Sequence, residues 1–268
     1  MNGNATHVSQ GLINSIRSRL SGSDDPVLPW LIFTGLTVVA FLLLWFYGLA
    51  QKALTSDPSH ITSVIALIYI AASLHCLWRA VAISREAMAG SHLAQEISSL
   101  LSAPIRAHRD PFSAAITQAA SAGVVADHVS NLVKKYELTG ESNGFDQTIL
   151  LRVLGERLSS GNRSGAFTSD LAMKLGLFGT IVGFIMMLAP IAGLNTDDQA
   201  AIKSSMALMS EGMAVAMYTT LAGLVASILI KIQYQFVETA TSRLFTSAVT
   251  LTEVCVIPVL QRRRDMAQ

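Results

Sequence analysis

Four stretches of the sequence are each long and apolar enough to cross a bilayer, and they constrain the fold more than any other feature. They run from about residue 28 to 50, 61 to 83, 171 to 194 and 206 to 230. A helix needs about 20 residues to span the hydrocarbon core. Because hydrocarbon offers no partner to free backbone groups, and because the stretches lack the strict alternation of barrel strands, we expect four helices. The chain is predicted to be an all-α membrane protein.

Charge and cysteine content exclude several classes of function. Charged residues make up 14% of the chain, against about 25% in an ordinary soluble domain. The formal net charge of +1 provides no basic field for nucleic acid, so we expect none as a partner. Cys76 and Cys255 stand far apart, without the spacing of a metal site or a disulfide framework. We therefore expect no metal site. The sequence also shows no glycine-rich phosphate loop, no acid pair in a plausible pocket and no Ser/His/Asp arrangement, so we expect no cofactor and no enzymatic catalysis.

Lysines and arginines collect in two parts of the chain, and their distribution predicts the orientation of the spans. The segment 84–170 holds eight lysines and arginines, and the C-terminal part of the chain holds Lys231, Arg243 and the arginines at 262–264. Of the two short connections, 51–60 has Lys52 as its basic residue, and 195–205 has Lys203 against two aspartates. Because cytoplasmic loops carry the excess of Lys and Arg, we expect the basic parts and both termini on the cytoplasmic side.

The parts outside the spans are also predicted to be mostly helical. Apolar residues before Asp24 recur at helical spacing, as in a helix that lies on the membrane surface, although a frayed terminal helix fits equally well. We expect two to four short helices in the long loop, interrupted at Pro104 and Pro111 and by a flexible break at 140–144. No stop signal follows Lys231 until Pro258, so one helix of about fifty residues is expected to extend the last span.

These observations divide the chain into five predicted parts. They are an N-terminal cytoplasmic amphipathic segment (1–27), transmembrane helices one and two (28–83), a helical cytoplasmic loop (84–170), transmembrane helices three and four (171–231) and a C-terminal cytoplasmic helix (232–268).

Small residues form a stripe along each of spans three and four. At spacings of three and four residues, each set falls on one helix face. The stripe of span three consists of Gly176, Gly179, Thr180 and Gly183, and that of span four of Gly212, Ala216, Thr220, Gly223 and Ser227, with Thr219 alongside. The simplest interpretation is close helix packing, with each threonine bonded to its own helix. A second interpretation is a polar line along a narrow ion path.

Ionisable residues are scarce inside the spans. The spans hold no deep Asp or Glu, and Glu211 lies near the outer end of the fourth. A proton route through the membrane needs a group that can hold and release a proton, so a conducting assembly requires a carboxylate from a partner helix. His75 and Arg79, one turn apart near the inner end of span two, are candidates for tuning a cytoplasmic exit, although anchoring at the head groups is the simpler interpretation.

Two sequence runs carry a resemblance to a known family. The run from Leu175 to Gly183 reads LGLFGTIVG, and the run from Glu211 to Ala226 reads EGMAVAMYTTLAGLVA. Together they resemble the paired signature of the MotA/TolQ/ExbB proton channel family. The resemblance implies a pentamer of this chain in the bacterial inner membrane, around two copies of a single-span partner similar to ExbD, TolR or MotB that brings the missing aspartate.

The resemblance also implies roles for individual residues. Thr180 matches the pore-facing threonine of the third-span motif and Thr220 that of the last span, with Thr219 as the adjacent alternative. Val215 departs from the pattern, because ExbB-type proteins have a glutamate there. Glu211, one turn earlier, is a candidate substitute, and Tyr218 is a further secondary candidate.

The implied function is that of an ion-driven motor subunit that converts the ion-motive force into mechanical work at the envelope. Alternatives are a non-conducting scaffold that clusters a partner, and a defence-system motor similar to ZorA, whose long cytoplasmic tail this chain lacks. The sequence distinguishes neither H⁺ from Na⁺ nor a flagellar stator from a Ton/Tol-type motor, and it does not name the load.

Overall fold

The computed structural model describes residues 27–48, 51, 59–102, 123–139, 147–193, 199–258 and 260–261. Six α-helices account for most of them, and these described ranges contain no strand. The helices are α1 (Val27–Phe46), α2 (Ile61–Ser102), α3 (Val124–Thr139), α4 (Thr148–Ser159), α5 (Arg163–Leu188) and α6 (Gln199–Leu251). A 3₁₀ turn, Ala189–Gly193, follows α5, and a π turn, Thr252–Val256, follows α6. The predicted all-α class is confirmed.

Four helical stretches are long and apolar enough to cross a membrane, which makes this a multi-pass membrane protein. They correspond to α1, the first part of α2, α5 and most of α6. In α1, Trp30 is the buried residue, while side chains such as Leu36 and Phe46 are more than 60% exposed. Apolar side chains exposed on a spanning helix are solvated by lipid or covered by another protein chain.

Two spanning helices extend beyond the predicted limits. Helix α2 continues to Ser102 rather than ending near residue 83, so the first part of the predicted loop belongs to the same helix. Its end fits the sequence, because the residue before Pro104 is disfavoured in the α conformation and nothing earlier breaks the helix. Helix α5 begins at Arg163, eight residues before the predicted start of span three.

The long C-terminal helix is confirmed. Helix α6 runs for 53 residues without a break and then widens into the π turn. In that turn the backbone N–H of Ile257 donates to the carbonyl oxygen of Thr252, five residues back. Pro258 explains the change, because its ring has no N–H to donate and crowds the carbonyl four residues before it.

The chain divides into two compact units. The described residues of the apolar unit lie within 29–78 and 162–236, and those of the polar unit within 27–28, 79–161 and 237–261. The apolar unit holds nearly all of α1, the first part of α2, the whole of α5 and the first part of α6. Its interior includes Ile65, Cys76 and Ile230, which are almost fully buried.

The polar unit has a core of its own, built from α3 and the end of the C-terminal helix. Val129, Leu132, Leu251 and Val256 are almost completely buried in it. Helix α4 packs against α6 in this unit, because the ring of Phe245 on α6 would lie 3.4 Å from a Cβ built on Gly155 of α4.

The start of α3 is fixed by one carboxylate of the polar unit. The backbone N–H of Val124 donates to Oε2 of Glu86 at 2.8 Å. Gly123 has a φ of +153°, and a side chain there would collide with the same carboxylate. An acid at a helix N-terminus binds an otherwise unpaired N–H and interacts favourably with the helix dipole.

Several predictions lie outside the described residues. They concern the N-terminal amphipathic segment (1–26), Lys52, Pro104, Pro111, the break at 140–144, Asp197, Asp198 and the arginines at 262–264.

Candidate functional site

Helices α5 and α6 approach each other closely along the two stripes of small residues. A Cβ built on Gly176 would lie 2.9 Å from the α-carbon of Gly223 and 3.0 Å from the carbonyl oxygen of Thr219. Farther along, a Cβ on Gly183 would lie 2.6 Å from the backbone nitrogen of Ala216 and 2.7 Å from the carbonyl oxygen of Gly212. Real Cβ atoms do not approach backbone this closely, so glycine is required for this spacing.

The predicted packing residues all lie at this contact between α5 and α6, which we call the glycine seam. Its members are Gly176, Gly179 and Gly183 on α5, and Gly212, Ala216 and Gly223 on α6. In lipid, where apolar area gives no advantage to helix contacts, close backbone packing is a main source of helix association. The seam therefore holds α5 and α6 in one fixed register.

A hydroxyl pair continues the contact beyond the glycine seam. Oγ of Ser169 donates to the carbonyl oxygen of Ser227 at 3.0 Å and lies 2.9 Å from Oγ of Ser227. The sequence gives no signal for Ser169, because its facing partner depends on the register of the two helices.

Two of the predicted threonines open into one groove. Thr180 of α5 and six residues of α6 line an open groove of about 460 Å³; the residues of α6 are Met213, Ala216, Met217, Thr220, Leu221 and Leu224. The hydroxyl of Thr180 donates to the carbonyl oxygen of Leu177 at 2.6 Å. The hydroxyl of Thr220 donates to that of Ala216 at 2.8 Å. Each hydroxyl thus uses its hydrogen inside its own helix and offers lone pairs to the groove.

The third predicted threonine lies elsewhere. Thr219 is 0% exposed and packs against Gly179, whose missing side chain makes room for it. Its hydroxyl donates to the carbonyl oxygens of Val215 at 2.9 Å and Ala216 at 3.2 Å. The structure therefore places Thr219 in the helix contact, while Thr180 and Thr220 face the groove.

The three remaining candidate positions do not line the groove. Val215 is 0% exposed. Glu211 is exposed and Tyr218 is half-buried. Among the described residues, those that line the groove consequently include no ionisable side chain.

Among the described residues, no group of three or more His, Cys, Asp or Glu side chains lies close enough together to hold a metal ion.

The comparison with protein families decides what kind of protein carries this arrangement. A model of the MotA/TolQ/ExbB proton channel family matches residues 116–248, about half of the chain, and the match includes the glycine seam and the groove. The chain belongs to the MotA/TolQ/ExbB proton channel family. No curated protein and no solved structure gives a significant match to it.

This member of the MotA/TolQ/ExbB family also has a buried polar cluster that its sequence did not reveal. The side chain of Gln233 on α6 is 0% exposed. Its Nε2 lies 3.3 Å from the hydroxyls of Tyr69 and Ser73 on α2, and 3.4 Å from that of Thr34 on α1. Its Oε1 is buried without a hydrogen-bond partner. The cluster connects α6 to two other spans through one amide.

The two residues proposed to tune an exit are engaged separately in this MotA/TolQ/ExbB protein. Nδ1 of His75 lies 2.6 Å from the hydroxyl of Tyr234, and the two rings stack. Arg79 donates to the carbonyl oxygen of Leu158 at 3.1 Å, within the polar unit. His75 thus has a specific partner inside the apolar unit, which simple anchoring at the head groups does not require.

Proposed function

We propose that this protein is the channel subunit of an ion-driven motor, in which the groove at Thr180 and Thr220 receives a single-span helix of a partner protein. The observation that carries the proposal is the shared groove, because it brings two hydroxyls from different helices onto one otherwise apolar wall. Membership of a proton channel family supports the same function.

The shape of the groove suits a helix. Met213, Met217, Leu221 and Leu224 follow one another at helical spacing along α6. They cover roughly 16 Å at about 1.5 Å per residue, which corresponds to about three turns of a facing helix. Methionine side chains adapt to an irregular partner surface, which suits a contact that shifts during a working cycle.

The hydrogen bonding of the groove determines which protonation state of the partner's aspartate it accepts. Both threonine hydroxyls donate to their own helices, so they accept hydrogen bonds from the groove. A protonated carboxyl has a hydrogen to donate, whereas an ionised carboxylate only accepts. An ionised carboxylate would also lose its hydration against the apolar wall. The partner's aspartate is therefore accommodated when it is protonated.

Because the groove accepts the aspartate when it is protonated, proton uptake can drive a repeating cycle of movement. Ion flow protonates one aspartate at a time, and the neutral side chain then passes along the wall at low cost. A membrane potential supplies about 2.3 kcal/mol per charge per 100 mV, enough to bias a step between similar subunit interfaces. Five subunits around two partner helices would convert such steps into rotation. H⁺ is the proposed ion, with Na⁺ as the alternative.

We place the protein in the bacterial inner membrane with both termini in the cytoplasm. The exposed cations Lys134 and Arg152 belong to the polar unit, and cytoplasmic segments carry the excess of Lys and Arg. The polar unit would then lie in the cytoplasm. Which envelope process the motor drives is a property of the partner.

Disulfide trapping tests the partner contact. The probe is the full chain with Met217→Cys, co-expressed with the single-span protein of the neighbouring reading frame, which carries one cysteine beside its aspartate. The matched control is Ile32→Cys on α1, which is similarly exposed. We expect oxidation to cross-link the partner to residue 217 and leave residue 32 free. Equal cross-linking at both positions, or the absence of any Asp-bearing single-span neighbour, would count against the proposal.

A further inference from the structure

Three polar residues of α6 repeat at intervals of seven and face the same side of the helix. They are Thr220, Ser227 and Tyr234. Seven residues make two turns of an α-helix, so successive members lie about 10 Å apart on one line. The line begins at the groove and ends beside Lys231, where the basic end of the spans begins.

Ser227 and Tyr234, the two residues of this line that lie outside the groove, each contact a residue of another helix. Ser227 pairs with Ser169 of α5 at 2.9 Å, and Tyr234 pairs with His75 of α2 at 2.6 Å. Gly165 of α5 leaves space for the ring of Tyr234, because a side chain at that position would collide with it. Residues of α2, α5 and α6 thus converge on the end of the line.

His75 gives the line a group that can carry a proton. An ionisable residue inside a spanning helix is a candidate for function, because its burial in the membrane is costly. Imidazole can take up a proton on one ring nitrogen and release one from the other. In the contact with Tyr234 either group can act as the donor, depending on the tautomer of His75.

We propose that Thr220, Ser227 and Tyr234 mark the exit path of the proton, and that His75 is the residue that takes it up from Tyr234 and hands it to water. This inference rests on the proposed channel function and names the route that the ion takes after the groove. The intervals of about 10 Å exceed any direct hydrogen bond, so the path requires water between its members.

The transfer is balanced in protons. The hydroxyl oxygen of Tyr234 receives the proton that water relays from the groove while its own proton passes to Nδ1 of His75, and the imidazolium gives one proton from Nε2 to water. Exchange with water restores the starting tautomer of the ring. His75 and Tyr234 end the cycle unchanged, and one proton has crossed.

Proton flux into dye-loaded liposomes tests the exit path, with the full chain reconstituted beside its single-span partner. His75→Gln retains a group able to hydrogen-bond to Tyr234 but does not carry a proton. We expect it to lower the flux roughly tenfold or more, and imidazole added on the basic side to restore part of it. His60→Gln, the same substitution at the residue that precedes α2, should conduct like the wild type.

The variants separate the exit path from the channel itself. If Thr220→Val stops the flux while His75→Gln conducts like the wild type, the exit path is wrong and the channel proposal stands. If the wild-type complex conducts Na⁺ but no protons, the exit path is wrong and the channel proposal stands; if it conducts neither ion, both are wrong. Should His75→Gln fail to assemble, Tyr234→Phe, which removes a single hydroxyl, decides in its place: a several-fold loss of flux supports the path, and wild-type flux overturns it.

Discussion

Gly176 and Gly223 face each other so closely that a methyl group on either would meet the α-carbon of the other, at 2.9 Å and 2.6 Å. The contact lies beside the groove, on the same two helices that carry Thr180 and Thr220. The position of both hydroxyls therefore depends on the absence of two side chains.

Gly176→Ala should force α5 and α6 apart. Overpacking in a well-packed contact typically costs about 1–3 kcal/mol, and here the obstacle is backbone, which does not rotate away. We expect a lower midpoint of thermal unfolding in detergent. Gly35→Ala on α1 is the control, because nothing lies within 4 Å of its added methyl group. Equal stability of the two variants would contradict the close contact.

Thr219→Val should leave conduction intact. Its hydroxyl is buried and donates to carbonyls of its own helix, so valine preserves the shape and loses a local bond. We expect an unfolding free energy within about 1 kcal/mol of the wild type. Proton flux of the reconstituted complex provides the comparison with the neighbouring Thr220→Val. If both variants lose conduction alike, the distinction between buried and groove-facing threonines is wrong.

Gln233→Met should weaken the contacts of α6 with α1 and α2 and lower the free energy of unfolding. Methionine has a similar length but removes the amide that lies close to three hydroxyls. Hydrogen bonds between spanning helices contribute about 0.6 kcal/mol on average and up to about 1.7, so we expect a loss of about 1 kcal/mol. Gln235→Met, an exposed position on the same helix, serves as the control. The free energy of unfolding of both variants, measured in detergent, checks the expected difference in stability.

The stability of the polar unit should fall in mild acid. His128 is 5% exposed and its Nε2 has no partner. Burial lowers the pKa of His128, and the neighbouring Asp127 carboxylate opposes the change. The unfolded chain then binds a proton more readily than the folded unit. The stabilisation that neutral His128 contributes is fully present above pH 6.5, the pKa of a histidine in the unfolded chain. It is lost as the pH falls below that value, by at most about 1.4 kcal/mol per pH unit.

Hydrogen exchange of the α3 amides measures this loss between pH 7.5 and 5.5, after correction for intrinsic rates. His128→Leu should flatten the dependence. A wild-type unit whose protection does not change over this interval would contradict the burial of a neutral imidazole.

Much of this architecture could be predicted from the sequence. The spans follow from apolar length, and the 53-residue helix follows from the lack of a stop signal before Pro258. Helices α2 and α5 extend beyond the predicted spans, because the apolar pattern marks where lipid begins rather than where a helix ends. Glu86 at the start of α3 was also missed, since its partner is distant in sequence.

The site was only partly predictable, because side-chain partners depend on how helices are rotated against each other. Thr219 and Thr220 differ by about 100° around α6, and the sequence alone left both as pathway candidates. The structure distinguishes them, because Thr219 packs against Gly179 of α5. Gln233 and Tyr234 gave no sequence signal, because each acquires its role from residues about 160 positions away.

Proton flux through the reconstituted complex, measured with Thr180→Val and Thr220→Val together, tests the central claim most directly. Valine preserves the shape of threonine and removes the hydroxyl. The account predicts that the double variant assembles with its partner as the wild type does and conducts no more than protein-free liposomes. A double variant that conducts at the wild-type rate, or a wild-type complex that assembles but does not conduct, would contradict it and favour a non-conducting scaffold.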